Sequence, residues 1–171
     1  MLSTEILNEF IIESKTIIKM STDVLEKVEG EMVQAQKLKD YGNYVDRIMG
    51  GAKSIAAMAS PGHAVNLVSD YAALCKAVGY KASQINNNEQ FYDICVALLQ
   101  DATENLESLL DNLDKSPEEL KAAISSTFLD RLRWVSNKFS SEYRASVGSS
   151  GTGGKSLEQN EIDNLMKKMG F

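Results

Sequence analysis

Little in this chain is of the kind that carries chemistry by itself. Its 171 residues include one His, two Cys, two Pro and one Trp. With His63 alone, neither an HExxH metal helix nor a Ser/His/Asp set can be assembled, and no GxxxxGK[ST] phosphate loop is present. Cys75 and Cys95 have no CxxC partner and no neighbouring His, so disulfide and metal readings give way to small core residues on apolar helical faces. No resident metal or cofactor is expected. Lys and Arg never cluster beyond two in a row, and the net charge is -6, which argues against nucleic acid and against anionic membrane surfaces. The longest apolar run, Ile55 to Ala59, is far too short to span a bilayer, so membrane insertion is not expected. No basic start followed by an apolar run marks a signal peptide, so a cytoplasmic protein with a protein partner is expected.

What is present is helical periodicity. Hydrophobic residues make up 43% of the chain, enough for one core, and nothing asks for a second domain. Ile6, Phe10, Ile17, Val24 and Val28 recur at helical spacing over Leu2 to about Glu29, and Gly30 follows. Tyr41, Val45, Ile48, Ala52 and Ile55 do so over about Ala35 to Ala59, before Ser60-Pro61-Gly62. Pro61 is placed to open a third helix that carries Val65, Val68, Ala72, Cys75 and Val78 as far as about Ala82. Beyond the polar cluster Gln84 to Asn88, the longest stripe runs through Phe91, Cys95, Leu98, Ala102, Leu106, Leu109 and Leu113 and ends near Asp114.

Ser116-Pro117-Glu118-Glu119 is a helix start, with a Ser cap, Pro at the first position and Glu three after the cap. The fifth helix is expected to reach about Tyr143, burying Leu120, Ile124, Phe128, Leu132, Val135 and Phe139 and leaving Trp134 off-axis. Its exposure, with the Met content, hints at a second protein contact. Strand alternation and a fixed repeat are both missing. The fold class expected is all-α, an up-and-down antiparallel bundle of about five helices over residues 1–144.

Residues 145–155 form a linker whose core, Val147-Gly148-Ser149-Ser150-Gly151-Thr152-Gly153-Gly154, is too rich in Gly and Ser to pack and is expected to be a flexible coil, spanning on average roughly 15 Å. Residues 156–171 then form a short amphipathic helix. Ser156 and Gln159 suggest a capping box, with Glu158, Glu161 and Asp163 toward the positive end of the dipole and Lys167 and Lys168 toward the negative end. Ile162, Leu165, Met166 and Met169 make one apolar stripe, and Gly170 is a C-terminal stop. So short a helix is marginal alone, so the segment is expected to be tethered and unburied, folding when its stripe meets a partner.

The order Asn160-Glu161-Ile162-Asp163-Asn164-Leu165-Met166, with Gly170-Phe171 after it, resembles the C-terminal peptide of the CheZ family of chemotaxis phosphatases. It is also similar to the peptides by which the FliM and FliY families of flagellar switch proteins hold phosphorylated CheY. The resemblance covers about a tenth of the chain. It implies a CheY-like response regulator as partner, bound through Ile162, Asp163, Leu165, Met166, Met169 and Phe171, with Asp163 setting orientation. A fainter likeness covers the first helices. "LNEFIIESKTIIKMSTDVLEKVE" and "DRIMGGAKSIA" resemble the first two helices of histidine-phosphotransfer (HPt) domains, with Asp46 where that family has its phosphorylated His, Met49 at the Lys position and Gly50 at the Gly that lets a regulator approach. This implies a regulator-docking face at Asp46, Met49 and Gly50. Without the His no imidazole takes a phosphoryl group, so phosphotransfer is disfavoured.

The CheZ resemblance implies one enzymatic alternative. Such phosphatases use an acid and an amide four apart on one helix, the amide orienting the attacking water, with Mg²⁺ carried by the regulator. Asp101 and Asn105 have that spacing, opposite the apolar stripe, with Asn in place of Gln. Asp40 and Asn43 give a second pair, resembling the "ExxN" signature of the CheC and CheX families. Acids and amides are common on solvated helix faces, and the bland reading of either pair is a surface coincidence. His63 is read as a solvated helix-start residue, with phosphotransfer through it as a third alternative. A homodimer is left open.

Overall fold

The computed structural model describes residues 2–142 and 161–171. Among them the secondary structure is entirely helical: α1 (Thr4–Val28), a 3-10 turn (Met32–Lys37), α2 (Leu38–Ala56), α3 (Val65–Ala82), α4 (Glu89–Asp111), α5 (Pro117–Ala122), α6 (Ser126–Glu142) and α7 (Glu161–Met169). The expected coil over 145–155 and the capping residues Ser156, Glu158 and Gln159 lie outside the described residues.

Helices α1 to α4 close a four-membered antiparallel ring in which each packs on the next and α4 returns to α1. The pairings show the directions. The Tyr92 hydroxyl at the start of α4 donates to the Val28 carbonyl at the end of α1, at 2.7 Å, while Lys15 pairs with Asp111 at the other end. Between α2 and α3, Asp46 pairs with Lys76 and the Tyr80 hydroxyl donates to Asn43. These two helices approach closely because each presents a glycine to a tyrosine of the other. A Cβ on Gly42 would lie within 2.3 Å of the Tyr80 ring, and one on Gly79 would lie 2.8 Å from Tyr41.

Every stripe residue read for the second to fifth helices is buried, because a continuous apolar row has only the shared core to face. The first helix differs. Its inward row is Phe10, Ser14, Ile17, Ile18, Ser21, Leu25 and Val28, whereas Ile6 is exposed and Val24 half-buried. Ser21 is accommodated because its hydroxyl donates to the Ile17 carbonyl.

Three boundaries depart from expectation. The start of the second helix, at Ala35, falls in the 3-10 turn before α2. Helix α3 begins at Val65 and not at Pro61: residues 61–62 form a turn, and the Val65 N–H is capped by His63 Nδ1 at 3.1 Å. The single fifth helix is two. Helix α5 has the expected capping box between Ser116 and Glu119, but the chain leaves the helix after Ala122, and the Ser125 hydroxyl accepts from the Phe128 N–H to start α6 afresh. A Ser competes for backbone in this way wherever its side chain offers a cap.

Candidate functional site

Helix α7 does not stand away from the bundle. It lies antiparallel along α3, with Lys168 paired to Asp70 at 3.1 Å and Glu161 within electrostatic reach of Lys76. Ile162, Met166 and Met169 are buried, at 1%, 3% and 1% exposure, and Leu165 and Phe171 are partly buried against the same core. The Asp163 carboxylate accepts from the Ser136 hydroxyl of α6 at 2.8 Å. The expectation that this stripe is unburied is therefore corrected. The reason is visible in α3, which is apolar beyond its own stripe: Leu67, Leu74 and Ala77 are buried as well, and a helix apolar around most of its girth has to be covered on more than one side.

The end of α7 is a Schellman turn. Gly170 has φ +91, the Phe171 N–H donates to the Met166 carbonyl at 2.8 Å, and the Gly170 N–H donates to the Lys167 carbonyl at 3.0 Å. Glycine meets the left-handed backbone without strain. The Gly-Phe pair thus has a local structural role in addition to its part in the resemblance.

The second candidate surface is on the outer side of α2. Asp46 is half-buried and bonded to Lys76 at 2.8 Å, and this bond raises the lysine's pKa above its ordinary value. Met49 is half-buried and packs against the core, while Gly50 is exposed with open space where a Cβ would point. It is Gly51 that faces α1, where a Cβ would lie 3.1 Å from Phe10. Of the two glycines, Gly50 therefore has no partner within the bundle that requires it. Lys76 joins the two candidate surfaces, touching Asp46 on one side and facing Glu161 on the other.

The acid and amide pair on α4 is not on a free face. Asp101 is ion-paired with Arg131 of α6, whose chain crosses α4 antiparallel through Phe91 against Trp134 and Phe139. Helix α4 carries a second buried row beside its first, Tyr92, Val96, Leu99, Thr103 and Leu110, so Asp101 and Asn105 sit at the edge of the buried surface, Asp101 beside α6 and Asn105 beside α5. Asn105 is half-buried and lines a cleft of about 130 Å³ with Ser108, Asn112, Glu119 and others. Its amide lies near the Tyr71 hydroxyl, which forms no well-aligned hydrogen bond. Burial pushes the Tyr71 pKa well up.

Of the other candidates, Asp40 is exposed, while Asn43 is engaged by Tyr80. Trp134 is 47% exposed, with Lys138 5.7 Å from its ring centroid. Cys75 and Cys95 are buried and unbonded to each other; burial pushes the Cys75 thiol up to about 12 and the Cys95 thiol higher still. Among the described residues no group of three or more His, Cys, Asp or Glu is arranged to hold a metal ion, and no helix is long and apolar enough to cross a membrane. Sequence reading missed the groove formed by α3 and α6; the extra apolar row on α3 was the signal. No protein-family model, curated protein or solved structure matches this chain.

Proposed function

We propose that the chain is a cytoplasmic signalling protein, an all-α bundle that binds a CheY-like response regulator through α7 and modulates its output. The observation that carries this reading is that Glu161 to Met166 of the resemblance fall on one helix with one apolar face. Ile162, Met166 and Met169 share that face, with Asp163 in the first turn and Lys167 and Lys168 in the last. An amphipathic helix with anchors at such spacing is the form in which helical peptides enter an apolar groove. The exposed Gly50, beside the paired Asp46 and Lys76, offers the regulator a second, HPt-like contact where backbone approach is unobstructed.

Titration of the full chain with single-domain response regulators, with and without an aspartyl-phosphate mimic, tests the reading. Binding that strengthens with the mimic and is lost in Ile162→Ala/Met166→Ala supports it. No binding at millimolar concentration removes it.

The rival reading is a CheZ-like phosphatase in which Asn105 orients the attacking water, and the cleft beside Asn105 favours it. The ion pair between Asp101 and Arg131 stands against it, since the acid must leave Arg131 to reach a regulator. Regulator dephosphorylation that speeds up with the wild-type protein and not with Asn105→Ala would establish the enzyme; Mg²⁺ would come with the regulator. A phosphotransfer role for His63 has less support, because its Nδ1 is occupied by the Val65 N–H.

A further inference from the structure

The apolar face by which α7 would hold a regulator is the face it buries on its own bundle. Every anchor of the proposed contact is engaged there. Ile162, Met166 and Met169 are all but inaccessible, Asp163 is bonded to Ser136, and Leu165 and Phe171 are partly buried against the same core. A regulator cannot take this face while α3 and α6 have it.

We propose that the groove between α3 and α6 is a built-in competitor for α7, so that the docked chain is the self-masked state and regulator binding requires α7 to leave. This rests on the proposed function and adds its regulation. The groove is specific in direction as well as apolar. Lys76 faces the acidic start of the helix, Ser136 meets Asp163 within the first turn, and Asp70 meets Lys168 in the last turn. Lys121 of α5 sits over the end, where a Cβ on Gly170 would come within 3.3 Å of its Nζ. A helix laid the other way round would set Lys168 against Lys76 and Glu161 against Asp70. The charges that complement the dipole of α7 are thus also the ones the groove reads.

The consequence is a fixed relation between docking and affinity. The apparent affinity for the regulator falls by the fraction of chains in which α7 is undocked, so a docked-to-undocked ratio of about ten weakens binding about tenfold. Weakening the groove without touching the apolar face of α7 removes that penalty. Asp70 and Lys168 serve the purpose, because neither belongs to the apolar stripe.

The experiment uses the full chain as wild type, Asp70→Lys, and the charge-exchanged Asp70→Lys/Lys168→Glu. Hydrogen exchange of the amides of residues 162–169 reports docking with no regulator present, and titration with a response regulator carrying an aspartyl-phosphate mimic reports binding. The expected result is slow exchange in wild type, fast exchange in Asp70→Lys with regulator binding about threefold to tenfold tighter, and return of both readings toward wild type in the exchanged pair. Faster exchange in Asp70→Lys with unchanged regulator affinity overturns the self-masking proposal and leaves the regulator-binding reading standing. Failure of all three proteins to bind, with α7 protected throughout, removes the regulator-binding reading, makes α7 a structural part of the bundle, and overturns the proposal with it.

Discussion

Consider Met166→Ala. Met166 is 3% exposed, and removing such a side chain from a domain core costs about 2–5 kcal/mol. Helix α7 sets a ceiling on that loss. It has nine residues, fewer than the roughly 12–15 at which a helix becomes marginal on its own. It is held by one face. Burying Ile162, Met166 and Met169 contributes about 1.5–3 kcal/mol each, and ordering the segment offsets most of that gain, so docking is worth only a few kcal/mol. When a substitution removes more than that, α7 detaches and the α1–α4 ring stays folded. Urea unfolding followed by circular dichroism should therefore show Met166→Ala losing about 1–3 kcal/mol and Met166→Ala/Met169→Ala losing clearly less than the sum of the single changes. Leu106→Ala, in the middle of α4 at 0% exposure, should cost about 2–5 kcal/mol with no such ceiling. Strict additivity of the two Met changes would refute the reasoning and make α7 part of the cooperative core.

Two glycines of one bundle should respond in opposite senses to alanine. Gly50→Ala meets open space and should raise stability by about 0.8–1 kcal/mol, while Gly79→Ala drives a Cβ toward the ring of Tyr41, whose hydroxyl is held by Thr103 at 2.8 Å, and should lose about 1–3 kcal/mol as overpacking exceeds the propensity gain; thermal melts of both proteins check this. Alkaline stability follows the buried thiols. Cys75 ionises at about 12 in the folded chain against an ordinary 9.0, so the unfolded chain releases its proton first and stability should fall by about 1.4 kcal/mol per pH unit through that window from this residue alone. Cys75→Ala should flatten the decline measured by urea titration between pH 9 and 11. Arg131→Ala frees Asp101 and should leave regulator dephosphorylation unchanged if the protein is an adaptor; a faster rate would favour the phosphatase reading.

The parts of the fold legible in the sequence are those with one apolar face and one neighbour on it. Helices α2 and α4 were readable because Tyr41 to Ile55 and Phe91 to Leu113 repeat without interruption, and both rows are buried. The inward row of α1 was obscured because Ser14 and Ser21 occupy core positions that a hydrophobicity rule assigns to solvent. The break between α5 and α6 was obscured because Leu120, Ile124 and Phe128 keep helical spacing across it; Ser125 supplies a cap that the apolar pattern does not record.

The candidate site shows the same limit from the other side. The stripe of α7, its charged ends and its glycine stop are local features and could be read directly. What they face is not local. Asp70, Ser136 and Lys121 come from three helices, and only the packing of α3 and α6 on the same α4 brings them to one groove. Asp101 and Asn105 illustrate the converse, since their spacing on α4 was correct and their surroundings were not: Arg131 approaches from thirty residues away in sequence.

The contact between Ser136 and Asp163, at 2.8 Å, allows the central claim to be tested by locking it. In Ser136→Cys/Asp163→Cys the two thiols replace a pair of side chains that already meet across the groove, while Cys75 and Cys95, at 1% and 0% exposure, are sealed in the core. The same protein is titrated with a phosphoryl-mimic response regulator before and after oxidation. If α7 must leave the bundle to be bound, the disulfide form should bind at least about tenfold more weakly than the reduced form, and adding reductant should restore the affinity. Equal binding by the oxidised and reduced proteins would contradict the account, because the regulator would then be held by a surface that docking of α7 leaves open.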